Sequence, residues 1–239
     1  MPRKARLVIP GLPHHVVQRA NRGKTLFFDD LDRRRYLDLL AKYAARQHLR
    51  ILAYCLMPDH VHLVAVPAAA GALTAVLMPL QIQHSKHIRR THTIRGRLWQ
   101  RRFASCPMDL PHMWEAVRYV ERNPRRTGKI LRPDRYAWSS AGGHAGIRKD
   151  PLLSGNLEAR GKVKNWVKWL CEGEDEAMVE TIRRCTRTGR PAGRAAFRAS
   201  IEKRLRRPRR PKKGKRPQPP KKGSRPRKAR TKAKGRRSR

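Results

Sequence analysis

Apolar and polar residues alternate along the first 150 residues in patterns that predict short strands separated by helices. Two apolar runs, 50–57 and 60–66, are separated only by Pro58-Asp59, and this arrangement predicts an antiparallel hairpin. A shorter run at 14–19 follows a Pro-Gly pair and predicts another strand. One or two further short strands are expected within 98–108, so this part of the chain contains at least four strands.

Three other segments carry apolar residues at helical spacing, and we predict helices over about 29–46, 71–90 and 111–123. Pro111 fits the first turn of the third helix, and Pro124 limits its continuation. The resulting order is strand, helix, strand, strand, helix, strand, helix. This order is typical of a ferredoxin-like α+β fold, an antiparallel sheet with helices packed on one face.

The composition changes after about residue 150. Residues 163–186 and 195–206 are predicted to be helical and are joined by a basic loop. From 207 onward Pro, Gly, Lys and Arg dominate, and such a segment cannot bury enough apolar surface to offset the entropy of ordering. We therefore predict three parts: a domain at 1–150, a helical basic extension at 151–206 and a disordered tail at 207–239.

The net charge indicates a polyanionic partner. The chain has 59 Lys and Arg residues against 17 Asp and Glu, a formal net charge of +42. The segment 203–239 holds 21 of the basic residues and no acidic one, which leaves +21 on the rest of the chain. Nucleic acid is the first candidate, because neutralising its phosphates releases counterions. An anionic membrane surface is the weaker alternative, because no basic stripe is paired with a strongly apolar face.

The cysteines and the apolar runs bear on location. The chain has four cysteines, and no two have C-x-x-C spacing, so a zinc ribbon is not expected. Scattered cysteines indicate reduced thiols, and no run approaches the roughly 18 apolar residues of a membrane span. We expect a soluble cytoplasmic protein that associates with the nucleoid and has no membrane partner.

Two histidines in the second strand of the hairpin form a candidate metal half-site. His60 and His62 are two residues apart, so on a strand both imidazoles point to the same face. Such a pair can bind a divalent cation, although two histidines on a solvated sheet face have the same spacing. His14 and His15 alternate across the first strand, so at most one of them faces the metal side.

A tyrosine and an asparagine on the third helix form a second candidate group. Tyr119 and Asn123 are four residues apart and share a helix face. A tyrosine in such a position is usually a packing residue, but the stretch around this one is polar and basic, as expected of a helix that faces phosphate. Its arginines are Arg118, Arg122, Arg125 and Arg126.

The two groups occur together with other motifs that resemble a known family. Pro58-Asp59-His60-Val61-His62-Leu63-Val64, followed by Tyr119-x-x-x-Asn123-Pro124-x-Arg126, resembles the REP-associated tyrosine transposases of the single-tyrosine HUH transposase superfamily. The resemblance runs from about Pro10 to Gly146 and includes segments 15–23, 27–32, 99–103 and 136–140. Residues 188–191 resemble the C-terminal segment of the same proteins. One position departs from the family pattern, because the glycine of its common Arg-Gly-Asn is Ala20 here.

The resemblance implies a mechanism and a substrate. His60, His62 and Asn123 would bind Mg²⁺ or Mn²⁺, and Tyr119 would attack a DNA phosphate to form a covalent 5′-phosphotyrosine and a free 3′-OH. The substrate would be single-stranded or hairpin DNA, with repeated palindromic elements suggested, and the oligomeric state is left open between monomer and dimer. The residues expected to contact DNA are Arg19, Arg22, Arg101, Arg102, Arg118, Arg122, Arg125 and Arg126.

Two other functions compete with this one. A non-catalytic protein could bind DNA or RNA with the same fold and charge, but RNA-binding sheets of this kind place aromatic residues where His60 and His62 lie. A zinc hydrolase built on the same histidines ranks last, because no Glu or Cys set of the expected kind lies near them.

The basic tail generates a first prediction. Deleting residues 207–239 removes a sequence-independent electrostatic arm, so we expect weaker binding to every DNA and a shallower dependence of log K on log salt. The measurement is a titration of wild-type and truncated protein with several hairpin and unstructured single strands at a series of salt concentrations. A weakening confined to one DNA sequence would contradict the proposed role of the arm.

Overall fold

The structure is a computed structural model, and it describes residues 6–154, 157 and 163–206. The tail predicted to be disordered, 207–239, lies outside the described residues. Within them, no helix is long and apolar enough to cross a lipid bilayer.

A four-stranded antiparallel sheet forms the centre of the fold. The strands are β1 (His14–Arg19), β2 (Arg50–Leu56), β3 (His60–Val66) and β4 (Ala104–Pro107), and their order across the sheet is β2-β3-β1-β4. The predicted hairpin is therefore confirmed as β2–β3. In the register of the neighbouring pairs, His62 lies opposite Val17 of β1 and Cys55 of β2. Because β3 pairs on both edges and is buried along its whole length, it is the most rigidly held strand of the sheet.

Helices α1 (Asp30–Arg46) and α2 (Ala72–Thr91) pack on one face of the sheet. Helix α1 begins after Asp29, whose carboxylate accepts a hydrogen bond from the backbone N–H of Asp32, as expected of an N-cap residue. The apolar sides of both helices meet Leu63 and other residues that alternate along β3. The predicted α+β class, with a ferredoxin-like antiparallel sheet, is thus confirmed.

The opposite face of the sheet is also covered, so the expectation of helices on one face holds only for α1 and α2. Helix α3 (Leu110–Arg126) packs there with α5 (Trp166–Cys171) and α6 (Glu176–Thr188), whereas α4 (Ala141–His144) and α7 (Ala195–Arg206) are shorter or peripheral additions. The physical reason is that β3 also presents Val64 and Val66 to this face, and these side chains need an apolar cover. Val117 of α3 and Ile182 of α6 provide part of that cover.

Two predicted helix boundaries are wrong. Helix α3 continues through Pro124 to Arg126, and Thr127 still donates its N–H to the carbonyl of Asn123. The helix predicted over 163–186 is two helices, since Asp175 starts a new one by accepting from the N–H of Met178. Residues of α5 and α6, which belong to the predicted extension, lie in the same hydrophobic core as residues of the first domain.

Two buried histidines, one on β1 and one on α2, generate a stability prediction. Burial lowers the pKa of His14 and of His84 to about 4, although each has a hydrogen bond to a backbone carbonyl that works in the opposite direction. Both are therefore neutral in the folded protein at pH 7. Their unfolded forms take up a proton near the ordinary pKa of about 6.5, so the unfolded state binds more protons at mildly acidic pH.

The free energy of unfolding should consequently be highest above about pH 6.5 and fall as the pH approaches 4, with a decrease on the order of 3 kcal/mol for each such histidine. The measurement is urea unfolding at several pH values for the wild type and for His84→Gln, which keeps a side-chain donor for the carbonyl of Leu26. The variant should show a smaller difference between pH 7 and pH 4. An identical pH dependence would show that His84 is not buried in its neutral form.

Candidate active site

His60 and His62 lie on the face of β3 that α3 covers, and they are nearly buried, with 8% and 1% of their surface exposed. Their ring centroids are 5.0 Å apart, and the rings are almost perpendicular. The strand geometry that the sequence predicted, two imidazoles on one face, is therefore present. The alternative of a solvated sheet face does not apply to these two residues.

The hydrogen bonds of His60 define which nitrogen carries its proton. Nδ1 donates to the carboxylate of Asp59 at 2.7 Å, and Nε2 accepts from the side-chain amide of Asn123 at 3.0 Å. Burial lowers the pKa of His60 below its ordinary value, although the bond to Asp59 acts in the opposite direction. The imidazole is thus neutral and its Nε2 carries a lone pair.

Tyr119 lies beside this histidine pair on α3. It is 3% exposed, and its ring meets that of His62 edge-on with 5.4 Å between centroids. The guanidinium groups of Arg126 and Arg183 each lie 5.1 Å from the centre of the tyrosine ring. Nε of Arg183 also points at the phenol oxygen, at 3.5 Å. The hydroxyl is therefore held in a positively charged environment.

Asn123 lies one turn further along α3 and is completely buried. Its carboxamide bridges two groups, because Nδ2 donates to His60 while Oδ1 accepts from Arg126 at 2.6 Å. The structure thus brings together all four residues that the sequence placed in one site: His60, His62, Tyr119 and Asn123.

His15 and Thr186 extend the site, and the sequence did not identify their role. Nε2 of His15 lies 2.9 Å from Nδ1 of His62, and Nδ1 of His15 lies 2.7 Å from the hydroxyl of Thr186. The side chain of His14 lies outside this network, and its Nε2 accepts a hydrogen bond from the backbone N–H of Ile9. The prediction that at most one of the two histidines faces the metal side is therefore confirmed, and it is His15. No local motif marks Thr186, so only the packing of α6 could reveal it.

A basic cleft opens beside the tyrosine. It has a volume of about 540 Å³, and Tyr119, His62 and His15 form part of its wall. Six arginines line the rest: Arg19, Arg101, Arg102, Arg126, Arg183 and Arg187. Among the described residues no carboxylate lines this cleft, so its electrostatic potential favours a chain of phosphates. Arg183 and Arg187 come from α6 and were not among the residues that the sequence selected.

Two arginines predicted to bind DNA have other partners. Arg122 forms an ion pair with Glu174 at 2.9 Å and donates to the backbone carbonyls of Leu170 and Glu172. Arg118 donates to the carbonyl of Gly173 at 2.8 Å. Both side chains therefore hold the end of α5 against α3, and their contact with DNA stays a prediction that these intramolecular partners disfavour.

The other six arginines predicted to contact DNA fall into two groups, those that line the cleft and those that lie outside it. Arg19, Arg101, Arg102 and Arg126 line the cleft. Arg22 and Arg125 are exposed but lie outside its wall, and Arg22 has a left-handed backbone conformation, with φ of 48°. Four of the eight arginines that were predicted to contact DNA therefore line the cleft.

The donor atoms around His60 and His62 fit a divalent cation. Nε2 of His62 is buried without a hydrogen-bond partner among the described residues, and the lone pair on Nε2 of His60 accepts from the amide of Asn123. Burial also lowers the pKa of His62 well below its ordinary value, so its imidazole is neutral. A buried lone pair without a partner is costly in a protein interior. Two imidazoles and an amide oxygen suit Mg²⁺ or Mn²⁺ less strongly than carboxylates do, but they leave positions free for phosphate oxygens.

A second group of potential ligands lies at the start of α1 and the end of α2. It consists of Asp29, Asp32 and His92, whose ligand atoms are within 4.8 Å of one another. Asp29 caps α1, and Asp32 accepts from the backbone N–H of Phe28 and bonds His87 and His92. These contacts account for the group as a structural network that ties α1 to α2.

Comparison with known proteins agrees with this geometry. The family model described as "Transposase IS200 like" matches residues 9–123, a segment that contains His60, His62, Tyr119 and Asn123. None of the curated proteins matches the chain.

Two solved structures are similar. A REP-associated tyrosine transposase bound to a REP hairpin is 17% identical, with 66% of this chain and 93% of that chain covered and a TM-score of 0.48. A transposase of Deinococcus radiodurans R1, described from a crystal structure, is 18% identical, with 50% and 96% covered and a TM-score of 0.36. The family match, on the segment that holds the paired histidines and the tyrosine, agrees with the resemblance seen in the motifs: residues 9–123 of this chain match the model of the IS200-like transposases.

Proposed function

We propose that the protein is a metal-dependent transposase that cleaves and rejoins single-stranded, hairpin-forming DNA through a covalent 5′-phosphotyrosine on Tyr119. The observation that carries this proposal is the position of Tyr119. Its ring lies against His62, its hydroxyl is next to Arg183, and the basic cleft opens beside it. A packing tyrosine would not need a pair of arginines and a pair of histidines around it.

His60, His62 and Asn123 would hold Mg²⁺ or Mn²⁺, which as a Lewis acid would withdraw charge from the scissile phosphate. For Asn123 to contribute its oxygen, the carboxamide has to rotate, because Nδ2 now faces His60 and Oδ1 faces Arg126. Arg126 is exposed, so it can release the oxygen and turn to a phosphate in the cleft.

In the cleavage step, the phenol oxygen of Tyr119 attacks phosphorus. The new O–P bond forms as the bond from phosphorus to the 3′ oxygen breaks, and the leaving strand ends in a 3′-OH after it takes up a proton. The number of phosphate ester bonds is unchanged, so a 3′-OH can attack the phosphotyrosine and rejoin a strand at the same site.

Arg183 supports the nucleophile through its charge. Its guanidinium lies 3.5 Å from the hydroxyl of Tyr119 and stabilises negative charge that develops on the phenol oxygen during the attack. No carboxylate of the described residues lines the cleft to act as a base. The arginine therefore contributes through charge, and the released proton passes to solvent through the open cleft.

The cleft arginines would hold the DNA backbone, and the fold of a hairpin with a few unpaired bases would provide specificity. Palindromic repeats are proposed as the substrate because the motifs resemble those of transposases associated with such elements. A single chain supplies all the site residues, so a monomer is sufficient for one cleavage, and the protein would act at the nucleoid in the cytoplasm.

The nucleophile is tested with Tyr119→Phe, which removes the hydroxyl and keeps the ring against His62. We expect labelled hairpin DNA, incubated with Mn²⁺ or Mg²⁺, to give a covalent protein–DNA band on a denaturing gel with the wild type and none with the variant. Tyr43→Phe, a change on α1 at the other face of the sheet, is the matched control and should retain the band. Equal bands from Tyr119→Phe and wild type would reject Tyr119 as the nucleophile. Binding without any band for the wild type would favour the non-catalytic alternative.

Replacing arginines that line the cleft should weaken DNA binding, whereas replacing Arg122, which has intramolecular partners, should lower stability. Arg101→Ala with Arg102→Ala should lower the affinity for single-stranded DNA and reduce the slope of log K against log salt by about 0.7 for each phosphate that is no longer neutralised, without a change in Tm. Arg122→Ala should lower the free energy of unfolding by about 1–3 kcal/mol, because it leaves the carbonyl of Leu170 and the carboxylate of Glu174 without their donor. Its DNA affinity below the melting temperature should equal that of the wild type. A decrease in affinity with unchanged Tm for Arg122→Ala would reverse the assignment.

A further inference from the structure

We propose that Thr186 and His15 form a hydrogen-bond relay that fixes His62 with its proton on Nδ1, so that helix α6 is a working part of the metal site. This inference rests on the proposed function, because it assigns to His62 the role of a ligand. It goes beyond the segment 9–123 that matches the transposase family, since Thr186 lies 63 residues after the end of that match. His15 and Thr186 are positioning residues, because they act through His62.

The relay begins at the backbone of α6. The hydroxyl of Thr186 lies 2.7 Å from the carbonyl oxygen of Ile182, one turn earlier, and donates its single proton there. The oxygen of that hydroxyl can then only accept, and it lies 2.7 Å from Nδ1 of His15. His15 is therefore protonated on Nδ1, and its Nε2 carries a lone pair.

That lone pair determines the tautomer of His62. Nε2 of His15 lies 2.9 Å from Nδ1 of His62, and one of the two nitrogens has to donate. Since Nε2 of His15 carries no proton, Nδ1 of His62 donates, and Nε2 of His62 is left with a lone pair. Nε2 is buried and has no other partner among the described residues, as expected of a nitrogen kept for a metal.

The reverse direction of the relay is disfavoured. If Thr186 donated to His15, then His15 would donate to His62, and the proton of His62 would lie on Nε2. A buried N–H would then have no acceptor, which proteins rarely tolerate. The same proton would also block the nitrogen for metal binding.

Packing keeps the relay in place. The rings of His15 and His62 are stacked, with 5.1 Å between centroids and 14° between planes, and the edge of His15 also meets Tyr119. Thr186 is 5% exposed and His15 is 1% exposed, so both side chains are almost entirely out of solvent. Removing the hydroxyl of Thr186 would therefore leave Nδ1 of His15 without its acceptor and free His15 to change tautomer.

The test compares Thr186→Val, which keeps the shape and removes the hydroxyl, with Thr186→Ser, which keeps the hydroxyl, in the full-length protein. The first readout is the dissociation constant for Mn²⁺ without DNA, measured by electron paramagnetic resonance of the free ion. We expect binding to be about 10–100-fold weaker in Thr186→Val, as found when outer partners of metal-binding histidines are removed, and close to wild type in Thr186→Ser. Equal affinity of Thr186→Val and wild type would overturn the proposal.

The second readout does not depend on metal binding or on any variant. Long-range ¹H–¹⁵N NMR of the histidine rings in metal-free wild-type protein reports which nitrogen of His62 carries the proton. A proton on Nδ1 supports the relay, and a proton on Nε2 overturns it even if Thr186→Val fails to fold. Failure of the proposed function looks different, because wild-type protein would then bind no Mn²⁺ and form no covalent adduct while the NMR result still decides the relay.

Discussion

The burial of β3 on both faces is the constraint on which the rest of the structure depends. One face needs α1 and α2, and the other needs α3 with the helices that follow it. His60 and His62 lie on the second face, so two polar rings are enclosed by helices, and each has to find partners. Asp59, Asn123 and His15 supply these partners, and each histidine keeps an Nε2 lone pair directed into the site. Burial thus creates the polar network at which we propose that a cation binds.

The same constraint explains how α3 is held. Glu121, one turn before the end of the helix, is completely buried, and its carboxylate accepts from Ser140, His144 and Trp166. A buried carboxylate with several donors is a strong positional restraint, because moving it would leave a charge without partners. Arg122 on the same helix adds contacts to the end of α5. These bonds fix the rotation of α3, and the rotation decides that Tyr119 and Asn123 face the histidines.

Much of the site could be predicted because its signals are local. The two-residue period of a strand places His60 and His62 on one side, and the helical period places Tyr119 one turn before Asn123. The order of strands and helices along the chain follows from the periods of their apolar residues. Helix coverage of the second face was missed, since a fully apolar strand pattern does not tell which later helices will pack on it.

The other part of the site depends on tertiary packing and has no local signal. His15 and Thr186 are separated by 171 residues, and nothing in either neighbourhood indicates the other. Arg183 looks like any basic residue of an exposed helix until α6 is packed against α3. Conversely, Arg118 and Arg122 looked like phosphate ligands because charge density reveals nothing about intramolecular partners. Their acceptors are backbone carbonyls and a glutamate some 50 residues away, which composition cannot reveal.

The long separation between His15 and Thr186 also sets the order in which the site is assembled during synthesis. Strands β1 and β3 leave the ribosome early and can pair as soon as both are made, but α6 is the next-to-last helix of the described chain. Arg183 and Thr186, the last residue of the relay, belong to this helix and are made with it. A nascent chain therefore carries Tyr119, the proposed nucleophile, and both histidines before it has the helix that packs against them, and a chain released early keeps these residues in an incomplete site. In this way the fold delays the assembly of the proposed DNA-cutting centre until nearly all of the described chain has been made.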